Sequence, residues 1–141
     1  MQSVGKSSLL HRIIEASFMN EYSATVGVDF RIVKVPVSNK QVNLQIWDTA
    51  GQEKYSALTT SYFQGSQGCI AVYDLQDQET LSKAEKYVHQ ALDFQINPEC
   101  IYLIGNKSDQ SQTGEEEGRN LANELNINYA VTSAKTGSGV N

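Results

Sequence analysis

The sequence contains few residues that cross-link or interrupt a fold, with two cysteines and two prolines among 141 residues. It also lacks an apolar run approaching the roughly 20 residues that a helix needs to span a bilayer. Cys69 and Cys100 each lie inside an apolar stretch, so we expect buried free thiols in a reducing compartment and neither a disulfide nor a metal site. These shortages argue against a disulfide-rich scaffold and against a membrane-spanning helix.

Positive charge is also scarce, with 11 lysines and arginines against 16 acidic residues and a formal net charge of -5. That balance argues weakly against nonspecific binding to nucleic acid or to an anionic membrane through bulk charge. Hydrophobic residues make up 40% and charged residues 19% of the chain, which is ordinary for a soluble globular protein. The length of 141 residues predicts a single domain that can bury a core.

The first half of the chain changes from a helical to an extended pattern. Apolar residues at helical spacing predict a helix over residues 6–17, and residues 18–27 have no strong period and are expected to form a loop. Two alternating runs then flank Ser38-Asn39-Lys40 and predict a β-hairpin. Their alternating positions are Arg31, Val33, Val35 and Val37, then Val42, Leu44 and Ile46. Pro36 predicts that the first of these strands lies at a sheet edge, where a missing donor does little harm.

The second half alternates strand and helix. Residues 68–75 and 100–105 are short apolar runs that predict strands buried on both faces of a parallel sheet. Helical spacing predicts a helix over residues 81–92 between them. Thr113-Gly114-Glu115-Glu116 has capping-box spacing, which predicts another helix with its glutamates in a solvated first turn. Residues 128–132 fit a last strand, and the whole order predicts an α/β layered domain.

The chain opens on the end of a phosphate-binding motif. Gly5-Lys6-Ser7 matches the close of G-x-x-x-x-G-K-[ST], whose first glycine would fall one residue before Met1. Backbone N–H groups at a helix N-terminus suit an anion, and Gly5 would let the backbone come close. Lys6 would reach the outer phosphates, and Ser7 would offer a hydroxyl to Mg²⁺. Alone, the tripeptide is weak support, because it occurs often by chance.

A second segment, Trp47-Asp48-Thr49-Ala50-Gly51-Gln52-Glu53, follows a predicted strand. An aspartate at a strand end can hold Mg²⁺ through a water molecule, which is the role we expect for Asp48. Gly51 leaves room for its N–H to meet a terminal phosphate, and the Gln52 amide can orient an attacking water. The alternative is a surface turn with an ordinary helix start, which weakens once the segment is considered with its neighbours.

Two further segments have the residue types needed to recognise the base of a bound nucleotide. Asp109 in Asn106-Lys107-Ser108-Asp109 can accept two parallel N–H bonds, which guanine offers on one edge. The Lys107 stem would lie over the flat base, although an N-x-x-D turn without function is common in isolation. Thr132-Ser133-Ala134-Lys135 could lend backbone N–H groups to the carbonyl oxygen of the base.

Taken in this order, the four segments resemble the small GTPase superfamily, and the similarity narrows to Rab-type GTPases. Ala24–Phe30 and Leu44–Glu53 are similar to the two Rab switch regions, and Ser61–Gly65 resembles the Rab Y-Y-R-G segment with Phe63 and Gln64 as departures. The resemblance implies a P-loop NTPase fold, a mostly parallel sheet with helices on both faces and an antiparallel edge hairpin. It also implies a GTP-binding switch that hydrolyses GTP to GDP and regulates vesicle traffic.

The resemblance assigns roles to individual residues. Thr25 would bind Mg²⁺ and sense the γ-phosphate, Phe18 would pack beside the base, and Tyr22 would be a switch aromatic, with simple solvent exposure as its alternative. The implied nucleotide site comprises Ser3, Val4, Gly5, Lys6, Ser7, Ser8, Phe18, Tyr22, Thr25, Gly51, Asn106, Lys107, Asp109, Ser133, Ala134 and Lys135. The implied metal ligands are Ser7, Thr25 and Asp48, and the implied catalytic residues are Gln52 and Lys6.

Partners and location also follow from the resemblance. It implies a monomer that does not bind nucleic acid, with an exchange factor, a GTPase-activating protein that supplies an arginine in trans, and effectors. Those effectors would read exposed Phe30, Trp47 and Tyr62, for which core packing is the alternative. The full-length parent protein would act in the cytoplasm at the cytosolic face of endomembranes. It would be held at the membrane only through a prenylated cysteine tail, which residues 1–141 are not expected to include.

The ends of the chain depart from the family pattern. The family has a strand before the phosphate loop and a last helix that would begin near Gly139, so residues 1–141 are expected to be one G domain incomplete at both termini. Gln2 and Ser3 stand where related GTPases often have glycine. Some Rab subgroups carry similar residues there, so we interpret them as a subgroup trait, which is compatible with a damped intrinsic rate. A pseudo-GTPase that binds nucleotide or partners without hydrolysis is the main alternative, and an inactive fragment is another.

Overall fold

The computed structural model describes residues 4–15, 28–49 and 61–140. The elements in chain order are α1 (Lys6–Glu15), β1 (Val28–Val37), β2 (Lys40–Thr49), β3 (Cys69–Asp74), α2 (Gln78–Asp93), β4 (Ile101–Asn106), α3 (Glu115–Glu124) and β5 (Asn128–Val131). Residues 61–63 are helical, and a 3₁₀ turn at Pro98–Cys100 leads into β4. The predicted α/β class is therefore confirmed. None of the helices in these described ranges is both long and apolar enough to cross a membrane.

Strands β3, β4 and β5 form a parallel sheet in that order. Asp74 at the end of β3 lies opposite Asn106 at the end of β4, and Gly105 lies opposite Val131 in β5. In a parallel sheet the carboxyl ends of the strands share one edge, where ligands commonly bind. The segments that follow β3, β4 and β5 are therefore brought together at this edge.

Helices lie on both faces of the parallel sheet, as predicted. Tyr73 and Gly105 are register partners and point to the same face, where the Tyr73 hydroxyl donates to Gly114 O at the start of α3 over 2.8 Å. Asn106 is the next residue and points to the opposite face. There its side chain donates to Val4 O, in the segment that leads into α1. The register thus places α3 and the start of α1 on opposite sides.

Helix α2 connects β3 to β4 and buries one stripe of small and apolar side chains. The buried positions are Thr80, Ala84, Val88 and Ala91, which follow helical spacing. The carboxylate of Asp77 caps the helix by accepting from the Glu79 N–H over 3.0 Å. This stripe joins Ala71, Tyr73 and Leu103 of the sheet in the core.

The hairpin forms a separate two-stranded sheet. Its strands are antiparallel, and Val37 pairs with Lys40 across the Ser38-Asn39 turn, where Ser38 has a φ of 54°. The register also pairs Val33 with Leu44, Val35 with Val42 and Arg31 with Ile46, so the predicted alternating positions share one face. Within the described chain β1 pairs with β2 alone, which agrees with the edge position predicted from Pro36.

The prediction that β3 and β4 are buried on both faces of the sheet is wrong near the amino-terminal end of these two strands. Ile70 and Tyr102 are register partners with exposed fractions of 57% and 42%. On the same face, Val72 and Ile104 are buried near the carboxyl edge, where the segment before α1 lies. An apolar run predicts burial, but only the packing of other elements decides which end of a face is covered.

Two local predictions also fail. The capping box does not form, because Gly114 is the N-cap without a side-chain bond, while Thr113 bonds to Ser111. The Gly114 N–H instead donates to Leu75 O over 2.9 Å, so tertiary contact sets the start of α3. Both cysteines are free thiols, but Cys100 is exposed because it ends the 3₁₀ turn and does not enter the strand.

Candidate functional site

Asn106 is the centre of a buried hydrogen-bond network at the carboxyl edge of the sheet. Its Nδ2 donates to Val4 O over 2.9 Å, which ties it to the phosphate loop. Its Oδ1 accepts from Thr132 Oγ1 and from the Ala134 N–H, each over 3.1 Å. Asn106 is only 1% exposed. One side chain therefore joins three predicted motifs that lie far apart in the chain.

Gly5 lies where the phosphate loop comes closest to Asn106. Its φ of 91° is in the left-handed region, which glycine adopts without strain. A Cβ added at this position would lie 2.5 Å from Asn106 Nδ2, well inside contact distance. The Leu9 N–H donates to Gly5 O over 2.8 Å and begins α1. The close approach of the loop therefore depends on the absence of a side chain at Gly5.

Ser7 and Asp48 meet between α1 and β2. The Ser7 hydroxyl donates to Asp48 Oδ2 over 2.5 Å, across 41 residues of chain. Burial raises the pKa of Asp48, while this hydrogen bond and the nearby Lys6 oppose the shift. Burial lowers the pKa of Lys6, and Asp48 opposes that shift. The structure thus holds a carboxylate and an ammonium group in a desolvated place where each favours the charge of the other.

Lys107 and Asp109 are each held by a partner from another element. Lys107 Nζ lies 2.7 Å from Asp74 Oδ2 at the end of β3, and the Lys107 backbone has a φ of 67°. Asp109 is exposed, and its Oδ1 accepts from Ser133 Oγ over 2.6 Å. The Ser133 backbone N–H donates to Ser138 O over 2.9 Å. The two segments expected to contact the base are therefore bonded directly to each other.

Three aromatic side chains form a cluster beside the hairpin. Phe30 and Trp47 are cross-strand partners whose ring centroids are 4.5 Å apart, and Tyr62 lies 4.9 Å from Trp47. Phe30 and Trp47 are 41% and 44% exposed. Core packing, the alternative for these two residues, therefore does not describe them. They present a contiguous surface of tilted aromatic rings to the outside of the molecule.

Comparison with known proteins identifies the family. A protein-family model described as the Ras family matches residues 1–141, which is the whole chain. The chain belongs to the Ras family. Membership implies guanine-nucleotide binding, which agrees with the chemistry expected of the four sequence segments.

Relatives of this Ras-family chain are of Rab and Sec4 type. It is 40% identical to Ras-related protein RABD1 of Arabidopsis thaliana over 94% of the chain. It is 39% identical to Ras-related protein SEC4 of Saccharomyces cerevisiae over 98% of the chain, and 45% identical to Ras-related protein RABC2b of Arabidopsis thaliana over 98%. The chain covers 66%, 65% and 69% of the lengths of these three proteins. They support the Rab-type assignment made from the motifs.

Part of the predicted nucleotide site of this Ras-family protein falls outside the described residues. Those positions are Ser3, Phe18, Tyr22, Thr25, Gly51 and Gln52. The positions that are described lie around one edge of the sheet, from Val4 and Gly5 through Asn106 to Ala134. Ser7 and Asp48 join the hairpin to the same helix start.

Sequence reasoning missed two residues that hold this site in place. Asp74 pairs with Lys107, and its other oxygen accepts from the Gln76 N–H over 3.0 Å. Its position at the end of a predicted parallel strand was a usable signal, because such ends converge. The Thr132 hydroxyl donates to Asn106 Oδ1, whereas the motif in its segment predicts contacts through backbone N–H groups alone.

Proposed function

We propose that this protein is a GTP-binding switch that hydrolyses GTP to GDP and acts as a Rab-type regulator of intracellular vesicle traffic. The observation that carries this proposal is the network around Asn106, which links Val4 of the phosphate loop to Thr132 and Ala134. A nucleotide has its charge at one end and its base at the other. A site for it needs a phosphate-binding segment and base-binding segments in one rigid arrangement, and Asn106 bonds to both kinds.

Guanine would be selected by Asp109. Its carboxylate accepts hydrogen bonds only, and guanine presents two parallel N–H donors on one edge. The Ser133 hydroxyl holds Oδ1 of this exposed carboxylate over 2.6 Å, which restricts its rotation. Lys107 would cover the face of the base, with its ammonium group anchored on Asp74. Ala134 and Lys135 would supply backbone donors to the base carbonyl, and Phe18 would lie beside the ring.

The residues present fit a magnesium ion. Mg²⁺ prefers oxygen ligands, and a hydroxyl and a buried carboxylate already meet at Ser7 and Asp48. Ser7 and Thr25 would bind the ion directly, and Asp48 would hold it through water. When bound, the ion would neutralise charge on the phosphate oxygens.

Hydrolysis would depend on positioning and electrostatics. Lys6 would place its ammonium group against the outer phosphates, and Gly51 would donate its N–H to the terminal phosphate. Gln52 would orient a water in line with the bond that breaks. Intrinsic turnover of such a site is slow, and an arginine supplied by a GTPase-activating protein would raise it by about 10³–10⁵.

Partner proteins at the cytosolic face of endomembranes would distinguish the GTP-bound form of this protein from the GDP-bound form. Contacts of Thr25 and Gly51 with the γ-phosphate would order the switch regions, and hydrolysis would release them. The cluster of Phe30, Trp47 and Tyr62 supports an effector surface, because half-exposed aromatic rings are common anchors in interfaces. Exchange factors would act on the same switch regions.

Asp109→Asn tests the base site, because the change replaces an acceptor with a donor. Hydrogen bonds to charged groups contribute about 1.5–3 kcal/mol each, so losing one or two costs about 1.5–6 kcal/mol and should weaken GDP binding by roughly 10-fold to 20,000-fold. Titration with a fluorescent GDP analogue measures the effect, and Asp93→Asn, an exposed aspartate at the end of α2, is the matched control. Unchanged GDP affinity in Asp109→Asn would rule out the base contact.

Single-turnover hydrolysis of GTP with Mg²⁺ tests the enzymatic part of the proposal separately. We expect slow conversion of bound GTP to GDP by the wild-type protein. Tight GTP binding without any conversion would favour the alternative, a binding module without hydrolytic activity.

A further inference from the structure

Arg12 reaches from α1 to the segment after β5. Its Nε donates to Ala134 O over 2.9 Å, and its Nη2 donates to Lys135 O over 2.7 Å. These residues are 122 and 123 positions away in the chain. The guanidinium group is planar and presents several N–H donors in a fixed fork, so it can bond two neighbouring carbonyls at once.

The position of Arg12 on its helix links this contact to the phosphate loop. Arg12 follows Ser8 by four residues, which places both on the same side of α1. It lies six residues after Lys6, or about 9 Å along the helix axis. The same rigid helix therefore carries the predicted phosphate contacts in its first turn and the contact with the Ala134–Lys135 segment further along.

The segment that Arg12 contacts is held from two sides. The Ala134 N–H donates to Asn106 Oδ1, while the Ala134 carbonyl accepts from Arg12. The turn continues to Gly137, whose N–H donates to Ser133 O over 2.8 Å. A Cβ on Gly137 would lie 3.8 Å from Arg12 Cδ, so the arginine stem packs along this turn. Asn106 thus fixes the amide side of Ala134, and Arg12 fixes the carbonyl side.

We propose that Arg12 is a positioning residue that sets the Ala134–Lys135 segment at a fixed place relative to the phosphate-binding end of α1. The inference rests on the proposed nucleotide site, in which this segment meets the carbonyl oxygen of guanine. With the arginine in place, the phosphate pocket and the base-carbonyl pocket belong to one rigid unit. Without it, the segment keeps its bond to Asn106 but loses the two bonds that join it to α1.

The test deletes the arginine from the protein and the base carbonyl from the ligand. Arg12→Met keeps an unbranched stem and removes the donors, and Arg12→Lys keeps the charge but not the fork. Arg119→Met is the matched control, because Arg119 is exposed, pairs with Glu115 and lies over the Tyr129 ring in another part of the fold. Affinities are measured for GDP and for the diphosphate of 2-aminopurine riboside, which has no 6-oxygen. This ligand also lacks the guanine N1–H that would face Asp109, but that loss is common to all variants and cancels when each variant is compared with wild type.

If Arg12 positions the base segment, Arg12→Met should weaken GDP binding about tenfold but weaken binding of the 2-aminopurine ligand less than threefold. Arg119→Met should change neither affinity by more than about twofold. Arg12→Lys should fall between wild type and Arg12→Met for GDP. If Arg12→Met shows no cooperative urea transition and is therefore not folded, Arg12→Lys replaces it. The test is then whether Arg12→Lys weakens GDP binding more than binding of the 2-aminopurine ligand.

Two results would overturn the positioning role. Equal weakening of both ligands would mean that Arg12 supports α1 as a whole, and no weakening of either would mean that the contact has no part in binding. Failure of the wild-type protein to bind GDP would overturn the proposed nucleotide site itself, and this inference with it. The GDP affinity of the wild-type protein therefore distinguishes failure of the proposed nucleotide site from failure of the role proposed for Arg12.

Discussion

Replacing Asn106 with alanine would remove the hydrogen bonds that join the phosphate loop to the segment after β5. The change leaves Val4 O, Thr132 Oγ1 and the Ala134 N–H without their partner, in residues that are 1%, 3% and 4% exposed. A buried polar group left unpaired costs about 1–3 kcal/mol, so the three together come to about 3–9 kcal/mol. The Thr132 hydroxyl can rotate toward another acceptor, so we expect the lower half of that range, about 3–6 kcal/mol.

That loss is large against the roughly 5–15 kcal/mol that keeps a typical domain folded. Urea denaturation of the nucleotide-free protein measures the free energy of unfolding, and repeating it with GDP tests the site. GDP should raise the unfolding midpoint of wild type, because a ligand that binds only the native state stabilises it. It should protect Asn106→Ala less, because that variant lacks the bonds through Asn106 between the phosphate loop and the segment after β5, although Arg12 still joins that segment to α1.

Asn128→Ala is the matched control for this experiment. Asn128 also uses its Nδ2 to bond two backbone carbonyls, Glu99 O at 2.8 Å and Ile101 O at 3.2 Å, but it lies at the start of β5, away from the carboxyl edge. Because the position is partly open to water, we expect a loss of about 1 kcal/mol and full protection by GDP. If Asn106→Ala costs no more than Asn128→Ala, the network around Asn106 does not hold the site together.

Two other predictions concern buried ionisable groups. Because burial raises the pKa of Asp48, its ionised form disfavours the native state, so this group makes unfolding easier as pH rises from about 4 through its raised pKa. Asp48→Asn should remove that decline in the free energy of unfolding, which urea denaturation at several pH values measures. The same variant should also lose the slowing of GDP release by Mg²⁺. An unchanged pH dependence of stability would contradict burial of Asp48 as the cause. Partial burial raises the pKa of Cys69 to about 11, whereas Cys100 is exposed, so a thiol reagent at pH 8 should modify Cys100 rapidly and Cys69 much more slowly, and urea should remove the difference. Loss of the rapid phase in Cys100→Ser checks the assignment, and two rapid thiols in wild type would refute the raised pKa of Cys69.

Local sequence patterns predicted strands and helices correctly where the spacing of apolar side chains alone identifies the element. The alternation in the hairpin placed Val33 and Leu44 on one face, and the register pairs them. Helical spacing in the stretch before β4 predicted α2, whose buried stripe includes Ala84 and Val88. In both cases the apolar period of the sequence is also the geometric period of the element, so no distant contact is needed to predict it.

Predictions failed where burial or capping depended on residues far away. Ile70 and Tyr102 have the sequence of buried strand positions, yet both are exposed, because coverage of a sheet face depends on which element packs there. Thr113 has the spacing of a capping residue, but the bond between Gly114 N–H and Leu75 O sets the helix start instead. A contact between separate elements outweighed the local signal in each case.

The sequence by itself determined the family of this protein and predicts its chemistry, because Lys6, Asp48 and Asp109 each stand in a motif whose residue types suit phosphate, metal or base. Only the tertiary structure decided how these groups are held. Asn106 bonds Val4 across 102 residues, and Arg12 bonds Ala134 across 122. No local period records such pairs. They arise because parallel strands bring their carboxyl ends to one edge, where polar side chains buried together must satisfy one another's hydrogen bonds.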